Sequence, residues 1–378
     1  MNFMKHERQV LNTYFPGLED RLRSMDFSQR ESNGSVVVET YREFGGPALL
    51  VPKTYGGKGA TAVDAVAVHR ALGLLSPSLA IAATMHDFTV AFLAEYAFYG
   101  DATRRYLQEI AQDNLYLASG FAEGRSGANI LEPSMSAEAV DGGYRINGCK
   151  KPCSVSASMN YLTASVRLVD KDGELGQRAI AIIPATSSGI ERSPFWQVSA
   201  LAGAQSQEVR LRNVIIEPHN LFLPEAEVPL DAVEAGGFLW FELLITASYL
   251  GIASGIMEKI YDQRRTTAEE RTRLLSLIET GAAALRGIAF EMQSQASPEL
   301  DSEALVARVL LVRYGIQQQL GQIAFLGTEL MGGMNFISDP TLEYSLACCA
   351  PLAFHPPSRL SIAQAIDGYM LGEALQMV

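Results

Sequence analysis

Cysteine is scarce in this chain, and the little there is makes no framework. Four among 378 residues, Cys149, Cys153, Cys348 and Cys349, are too few to staple a fold of this size. A C-x3-C pair with a distant C-C is not a zinc-finger spacing either. The expectation is buried, reduced thiols in a cytoplasmic protein without a metal site. Charge is also low, at 19% of residues with a net balance of -12. The excess of Lys and Arg that wrapping a nucleic acid requires is missing. A long uninterrupted apolar run is missing too. The longest, near Ala80, is broken by His86 and Asp87, so no membrane span is expected. Met1 to Arg8 is polar with no apolar run behind it, so no signal peptide is expected. There is no internal repeat and no low-complexity segment. What remains is a chain 48% hydrophobic, apolar enough for a large core and long enough for two or three structural units.

Three regions differ in pattern. Residues 1–115 read as helices. Val10, Leu11, Tyr14, Leu18 and Leu22 recur at helical spacing, which predicts a helix over Val10 to Met25. Ser35 to Phe44 fits a helix or, through its Val-Val-Val run, a strand. The glycine cluster Gly56-Gly57-Lys58-Gly59 after Pro52 excludes a regular helix there. Further helices are expected over Ala62–Leu74, Ser78–Tyr96 and Ala102–Ala111. Residues 116–228 change character. Short alternating segments at 143–147, 160–168, 178–184 and 207–216 predict a small antiparallel sheet or barrel. Gly142-Gly143 and Asp172-Gly173 are candidate tight turns. Residues 229–378 return to long helices, over Phe238–Arg265, Arg271–Ser294, Ser302–Leu330 and Arg359–Gln376. The small residues Ala247, Ser248, Gly251, Ala253, Ser254 and Gly255 invite close approach of a neighbouring helix or ligand. The fold class expected is therefore α+β, mostly α. It has an N-terminal helical domain, a middle β domain and a C-terminal four-helix bundle.

The stretch Leu115–Leu162 joins the first two regions. Its Gly, Ser and Asn residues let backbone N–H groups approach a bulky ligand, as in the floor of a cofactor site.

Helices, then a sheet, then a bundle is an uncommon order, and with it the motifs resemble the acyl-CoA dehydrogenase family of flavoproteins. Val51-Pro52 to Gly57 and Gly59 resembles that family's P-x-x-Y-G-G-x-G turn. Phe121-Ala122-Glu123-Gly124-Arg125-Ser126-Gly127-Ala128-Asn129 resembles its flavin loop. Asn147-Gly148-Cys149-Lys150 resembles its N-G-x-K. Glu329-Leu330-Met331-Gly332-Gly333 resembles its Q-x-x-G-G.

The resemblance implies FAD, bound by Phe121, Ala122, Gly127, Ala128, Asn129, Ser154, Gly332, Gly333 and Arg359. Arg264 and Arg265 are further candidates for the pyrophosphate. It implies oxidation of an acyl thioester, carried on CoA or an acyl carrier protein, in specialised metabolism. An electron-transfer partner or oxygen would be the acceptor, and a homodimer or homotetramer the assembly. The position of the family's usual catalytic Glu is taken by His355. An imidazole can act as a general base, or His355 merely packs at a Pro-Pro turn. Glu242, in a very apolar helix, is a second candidate base with a raised pKa, or else pairs with a buried Arg of the bundle. Phe241 and His86 lie where an acyl chain would pass, although His86 also reads as a satisfied core histidine. The substitution of the Glu leaves two other functions open. One is a flavin monooxygenase on the same fold, in which a His near the flavin handles a proton. The other is a non-catalytic binding subunit.

Overall fold

Helices open and close the chain and a sheet lies between them. The computed structural model describes residues 1–96, 101–124, 132–170, 172–223, 230–263, 265–294 and 302–375. The first region holds α1 (Lys5–Tyr14), α2 (Leu18–Ser24), α3 (Phe27–Glu31), α4 (Val37–Glu43), α5 (Ala62–Leu75), α6 (Pro77–Tyr96) and α7 (Asp101–Asp113). The single helix expected over Val10–Met25 is two. Pro16 has no N–H to give, and Gly17 takes φ 83°, so the chain turns between Leu11 and Leu18, both buried in the core. The ambiguous segment at Ser35 is helical. The glycine turn is tight for a reason, since a Cβ on Gly57 would lie 2.1 Å from the Val51 carbonyl oxygen.

The sheet comprises β1 (Leu117–Gly120), β2 (Ser136–Val140), β3 (Gly143–Cys153), β4 (Tyr161–Val169), β5 (Leu175–Pro184), β6 (Ile190–Ser193), β7 (Gln207–Ile216) and β8 (Leu221–Phe222). Its order is β6-β7-β3-β2-β4-β5-β8, with β1 beside β4. Pairing is antiparallel except β1–β4 and β2–β4, which run parallel. The four segments expected from alternation are β3, β4, β5 and β7. The four unexpected strands are short, from two to five residues, too few to show an alternation. The tight turn falls on Asp141-Gly142, one residue earlier than expected, because Val140 pairs with Gly143.

The last region holds α8 (Leu230–Gln263), α9 (Ala268–Ser294), α10 (Ser302–Met331), α11 (Gly333–Ser338), α12 (Pro340–Cys349) and α13 (Arg359–Met370). Helices α11 and α12 were not expected. Gly332 at φ 77° ends α10, and Asp339 accepts the Thr341 N–H at 2.9 Å to start α12.

Helix α8 is the axis of the molecule. It packs against α5 and α6 on one side and α9, α10 and α12 on the other, so the first and last regions share one hydrophobic core. Pro77–Ala94 of α6 and Ala235–Gln263 of α8 are long and apolar enough to cross a membrane, but 89% and 83% of those stretches are buried inside the protein. The polar groups that interrupt α6 are bonded internally, with Asp87 Oδ1 alone left without a partner among the described residues. His69 Nε2 meets Asp87 Oδ2 at 2.9 Å, and His69 Nδ1 meets Ser248 Oγ at 3.2 Å. This Ser-His-Asp series is sealed from solvent and ties α5, α6 and α8 together.

Nearby, α5 and α8 touch backbone to backbone. A Cβ on Gly251 would sit 2.2 Å from the Arg70 carbonyl oxygen, and one on Gly73 would sit 2.1 Å from that of Ser248. The small residues of α8 therefore serve a helix. Gly251→Ala is expected to destabilise by about 1–3 kcal/mol through overpacking, against the ordinary helix preference for Ala. Gly315→Ala, on α10 with no atom near its added Cβ, should stabilise by about 1 kcal/mol. Thermal unfolding followed by circular dichroism checks both, and opposite signs are the expected result.

Candidate functional site

A cavity of about 850 Å³ opens where the sheet, α6, α8 and the turn before α13 meet. Its walls are aromatic: Phe88 and Phe92 from α6, Phe121 after β1, Trp196 before β7, and Phe238 and Phe241 from α8. Their order follows from the helix and sheet periods. On α6, Phe88 and Phe92 are four residues apart and share a face with Met85 and Ile81, which also line the space.

The floor is the segment Phe121–Gly124, held down by Lys150. The Lys150 side chain is fully buried, and its Nζ donates to Glu123 Oε1 at 2.9 Å, Ser165 Oγ at 3.0 Å and the Phe121 carbonyl at 3.5 Å. Glu123 also accepts from Ser134 N at 2.9 Å and Ser134 Oγ at 2.6 Å. Burial acts to raise its pKa, but these hydrogen bonds and the Lys150 charge outweigh it and hold the carboxyl at about 2. The ion pair fixes the floor and leaves no titratable carboxyl there.

Two hydroxyls face the cavity together. Ser154 follows β3, Ser206 precedes β7, and their Oγ atoms are 2.9 Å apart. The antiparallel pairing of β3 with β7 places both at one end of the sheet. Either hydroxyl can donate to the other, so the pair keeps one proton free for a bound group.

His355 forms the wall across from the sheet, and it is held from two directions. Tyr249 of α8 shares a hydrogen bond of 3.0 Å with its Nε2. Arg313 of α10 donates to its backbone carbonyl, and to that of Leu352 at 3.1 Å. Arg313 in turn lies 2.8 Å from both carboxylate oxygens of Glu242, and both side chains are fully buried. Tyr314 OH adds a bond to the Pro357 carbonyl at 3.0 Å. Burial, with a smaller contribution from the Arg313 charge, pushes the imidazole down to about 3, so it is neutral at physiological pH. Burial keeps the Tyr249 hydroxyl well above its ordinary range, and therefore protonated.

The structure sorts the residues singled out from sequence. Phe121, Ala122, Ser154, Phe241 and His355 come together around the cavity. Glu242 does not line it. Its partner is the buried Arg313, which is the alternative to a base, although burial still pushes its carboxyl up to about 7 against the pull of that charge. His86 is also outside. It accepts from Leu117 N and binds the Pro47 carbonyl, both at 3.0 Å, and α6 instead offers Met85 and Phe88. Gly332 and Gly333 lie at the α10–α11 bend, and Arg359 is exposed on the first turn of α13; none of the three lines the cavity. Ser358 and Ser361 of that turn do line it. Gly127, Ala128, Asn129 and Arg264 fall outside the described residues, and Arg265 does not line the cavity.

Sequence reasoning passed over Tyr249, Arg313, Trp196 and Ser206. Arg313 had one usable signal, a lone charge in the apolar run Leu310-Leu311-Val312-Arg313-Tyr314. Tyr249 had none, since an aromatic in an apolar helix reads as packing.

No family model matches the chain. It is 40% identical over 386 aligned positions to the isobutylamine N-hydroxylase of Streptomyces viridifaciens, with all of both chains covered. It is 28% identical over 263 positions to a dibenzothiophene monooxygenase of Rhodococcus qingshengii, covering 68% of this chain and 62% of that one. The crystal structure of FMN-bound TdsC from Paenibacillus sp. A11-2 superimposes with a TM-score of 0.82 at 18% identity, covering 100% of this chain and 99% of that one.

Arg313→Met strands the Glu242 carboxylate in the core and should cost about 3–5 kcal/mol. Adding Glu242→Leu should recover part of this, the remainder being the carbonyls of Leu352 and His355 left without a donor; urea midpoints report both. The depressed His355 pKa gives a second expectation. The unfolded chain binds that proton near the ordinary pKa of about 6.5, so this contribution to stability is complete above that pH. It is lost as pH falls toward about 3. His355→Gln should flatten the loss in urea midpoint between pH 7.5 and pH 5.

Proposed function

The chain belongs to the isobutylamine N-hydroxylase family, and from that membership we propose that it is a flavin-dependent monooxygenase that hydroxylates the nitrogen of a small aliphatic amine. The observation that carries the reading is His355, a neutral imidazole where the acyl-CoA dehydrogenases, which this chain resembles, place a carboxylate. Removing a proton from the α-carbon of a thioester needs a strong base. An imidazole held near 3 is a weak one, and Glu242 is tied to Arg313 away from the cavity. A neutral amine nitrogen carries a lone pair, so its oxidation requires loss of an N–H proton from the ammonium form and no removal of a C–H proton.

The cavity suits a flavin. Its aromatic walls fit a planar ring system, and the Ser154–Ser206 pair offers a hydroxyl proton to a ring edge. Ser358 and Ser361 place the N-terminal turn of α13, a favourable place for a phosphate, at the same space. A bound FMN in a structure that shares the whole fold supports FMN as the flavin. When bound and reduced, flavin supplies two electrons to dioxygen, so that one oxygen atom goes to substrate and the other to water.

The chain's own residues do the rest. The aromatic walls hold the alkyl group and exclude water, which would otherwise compete for the activated oxygen. As the N–O bond forms, the nitrogen becomes positively charged and must lose a proton. His355 is the one imidazole among the described residues lining the cavity; with its Nε2–H donating to the Tyr249 oxygen, Nδ1 is the nitrogen that can take that proton. Oxygen is then the electron acceptor, and a separate reductase supplies the reduced flavin. Exposed apolar side chains on α9 to α11, such as Phe290, Phe325 and Ile337, support assembly into a homo-oligomer.

The test is turnover of isobutylamine under labelled dioxygen with FMN, NADH and a flavin reductase. One labelled oxygen atom in the hydroxylamine is expected. His355→Ala should lower the rate by about 100-fold or more while leaving FMN affinity within about twofold. If small amines take up no labelled oxygen and an acyl thioester becomes α,β-unsaturated instead, the dehydrogenase reading replaces this one.

A further inference from the structure

Glu31 is a buried carboxylate that the cavity does not use. It lies at the end of α3, 2% exposed, and joins three parts of the molecule. Its Oε1 accepts from Ser76 Oγ at 2.6 Å, and its Oε2 from Ser78 N at 3.0 Å, so it sits on the N-terminus of α6. The same Oε2 accepts from Tyr344 OH of α12 at 2.7 Å. The Tyr344 oxygen then accepts the backbone N–H of Leu201 at 2.9 Å. With its proton given to Glu31, the hydroxyl has a lone pair directed at that N–H. The carboxylate thereby sets which way the tyrosine points.

Leu201 belongs to the strap 194–206, which carries Trp196 and Ser206 to the cavity. The strap is not a conformation the chain adopts unaided. Leu201 has φ 62° and Gln205 has φ 57°, left-handed values that are unfavourable for a non-glycine residue. Between them, a Cβ on Gly203 would lie 2.9 Å from the Arg30 carbonyl, so the strap is seated on the residue next to Glu31. The other end is tied to the sheet, where Val155 N donates to the Ala204 carbonyl at 3.0 Å.

We propose that Glu31 and Tyr344 are positioning residues for the strap, and that through Leu201 they hold Trp196 and Ser206 where they face the flavin. The flavin arm of the test rests on the function proposed above; the tryptophan arm does not. In Tyr344→Phe the ring keeps its edge-on contact with Phe27, 5.0 Å between centroids, and only the hydroxyl is lost.

The measurements are FMN affinity by fluorescence titration and acrylamide quenching of Trp196 emission in a Trp240→Phe background, where Trp196 is the sole tryptophan. Tyr344→Phe and Glu31→Ala are each expected to weaken FMN binding by roughly 5- to 20-fold and to raise Trp196 quenching. Glu31→Gln, whose amide oxygen can still accept from Tyr344, should restore most of the affinity. If Glu31→Ala does not fold, Tyr344→Phe decides alone. Unchanged FMN affinity and unchanged Trp196 quenching in a folded Tyr344→Phe variant overturn the proposal, even if its Tm falls. Raised Trp196 quenching in a protein that never binds FMN upholds the positioning role and sinks the flavin reading instead.

Discussion

The site hangs on one buried ion pair. Glu242 of α8 and Arg313 of α10 are 71 residues apart in sequence and fully enclosed. Taking both charges out of water is costly, and their mutual attraction offsets that only in part. What the pair provides is a fixed position. Two carboxylate oxygens fix the guanidinium, and its other nitrogen reaches the carbonyls of Leu352 and His355. The turn that bears His355 is irregular and has no ladder of its own. Its backbone acceptors need partners, and Arg313 supplies them. The same charge also helps to keep the imidazole neutral, so a structural contact and a chemical property have one cause.

The surroundings are built the same way, with charge and polarity buried only where they fix a surface of the cavity. Lys150 anchors the floor through Glu123 and Ser165. Tyr249 anchors the His355 ring. Most of the remaining lining is aromatic rings and small hydroxyls, with Glu132 and Lys151 among them. Such a lining favours a substrate with an apolar body.

Much of the fold was legible because periodicity survives in long elements. Helices α5 to α10 and strands β3, β4, β5 and β7 fall close to where spacing puts them. Short elements carry too few residues for a period, so β1, β2, β6, β8, α11 and α12 went unseen, and Pro16-Gly17 split a helix whose pattern runs straight through the break. The candidate site was half legible. Ser154, Phe121 and His355 were reachable through motifs. The two possibilities for Glu242 could be stated from sequence but not decided, because the deciding residue lies on another helix. Tyr249 and His355 meet across 106 residues, and no local pattern announces that. His86 drew attention as a polar residue on an apolar helix. Its partners, the Pro47 carbonyl and the Leu117 N–H, are backbone groups, which sequence does not display.

The contact at Gly73 and Gly251 bears on how anything reaches the interior. Two helices from opposite ends of the chain meet with no side chain between them, and such a joint has no slack. Helix α5 therefore cannot swing from α8 as a door without breaking a backbone-to-backbone contact. On the opposite rim, Phe354 is 81% exposed and Ser358 is open to solvent, and both line the cavity. Both lie a few residues from His355, so the open side of the cavity is the side that bears the imidazole.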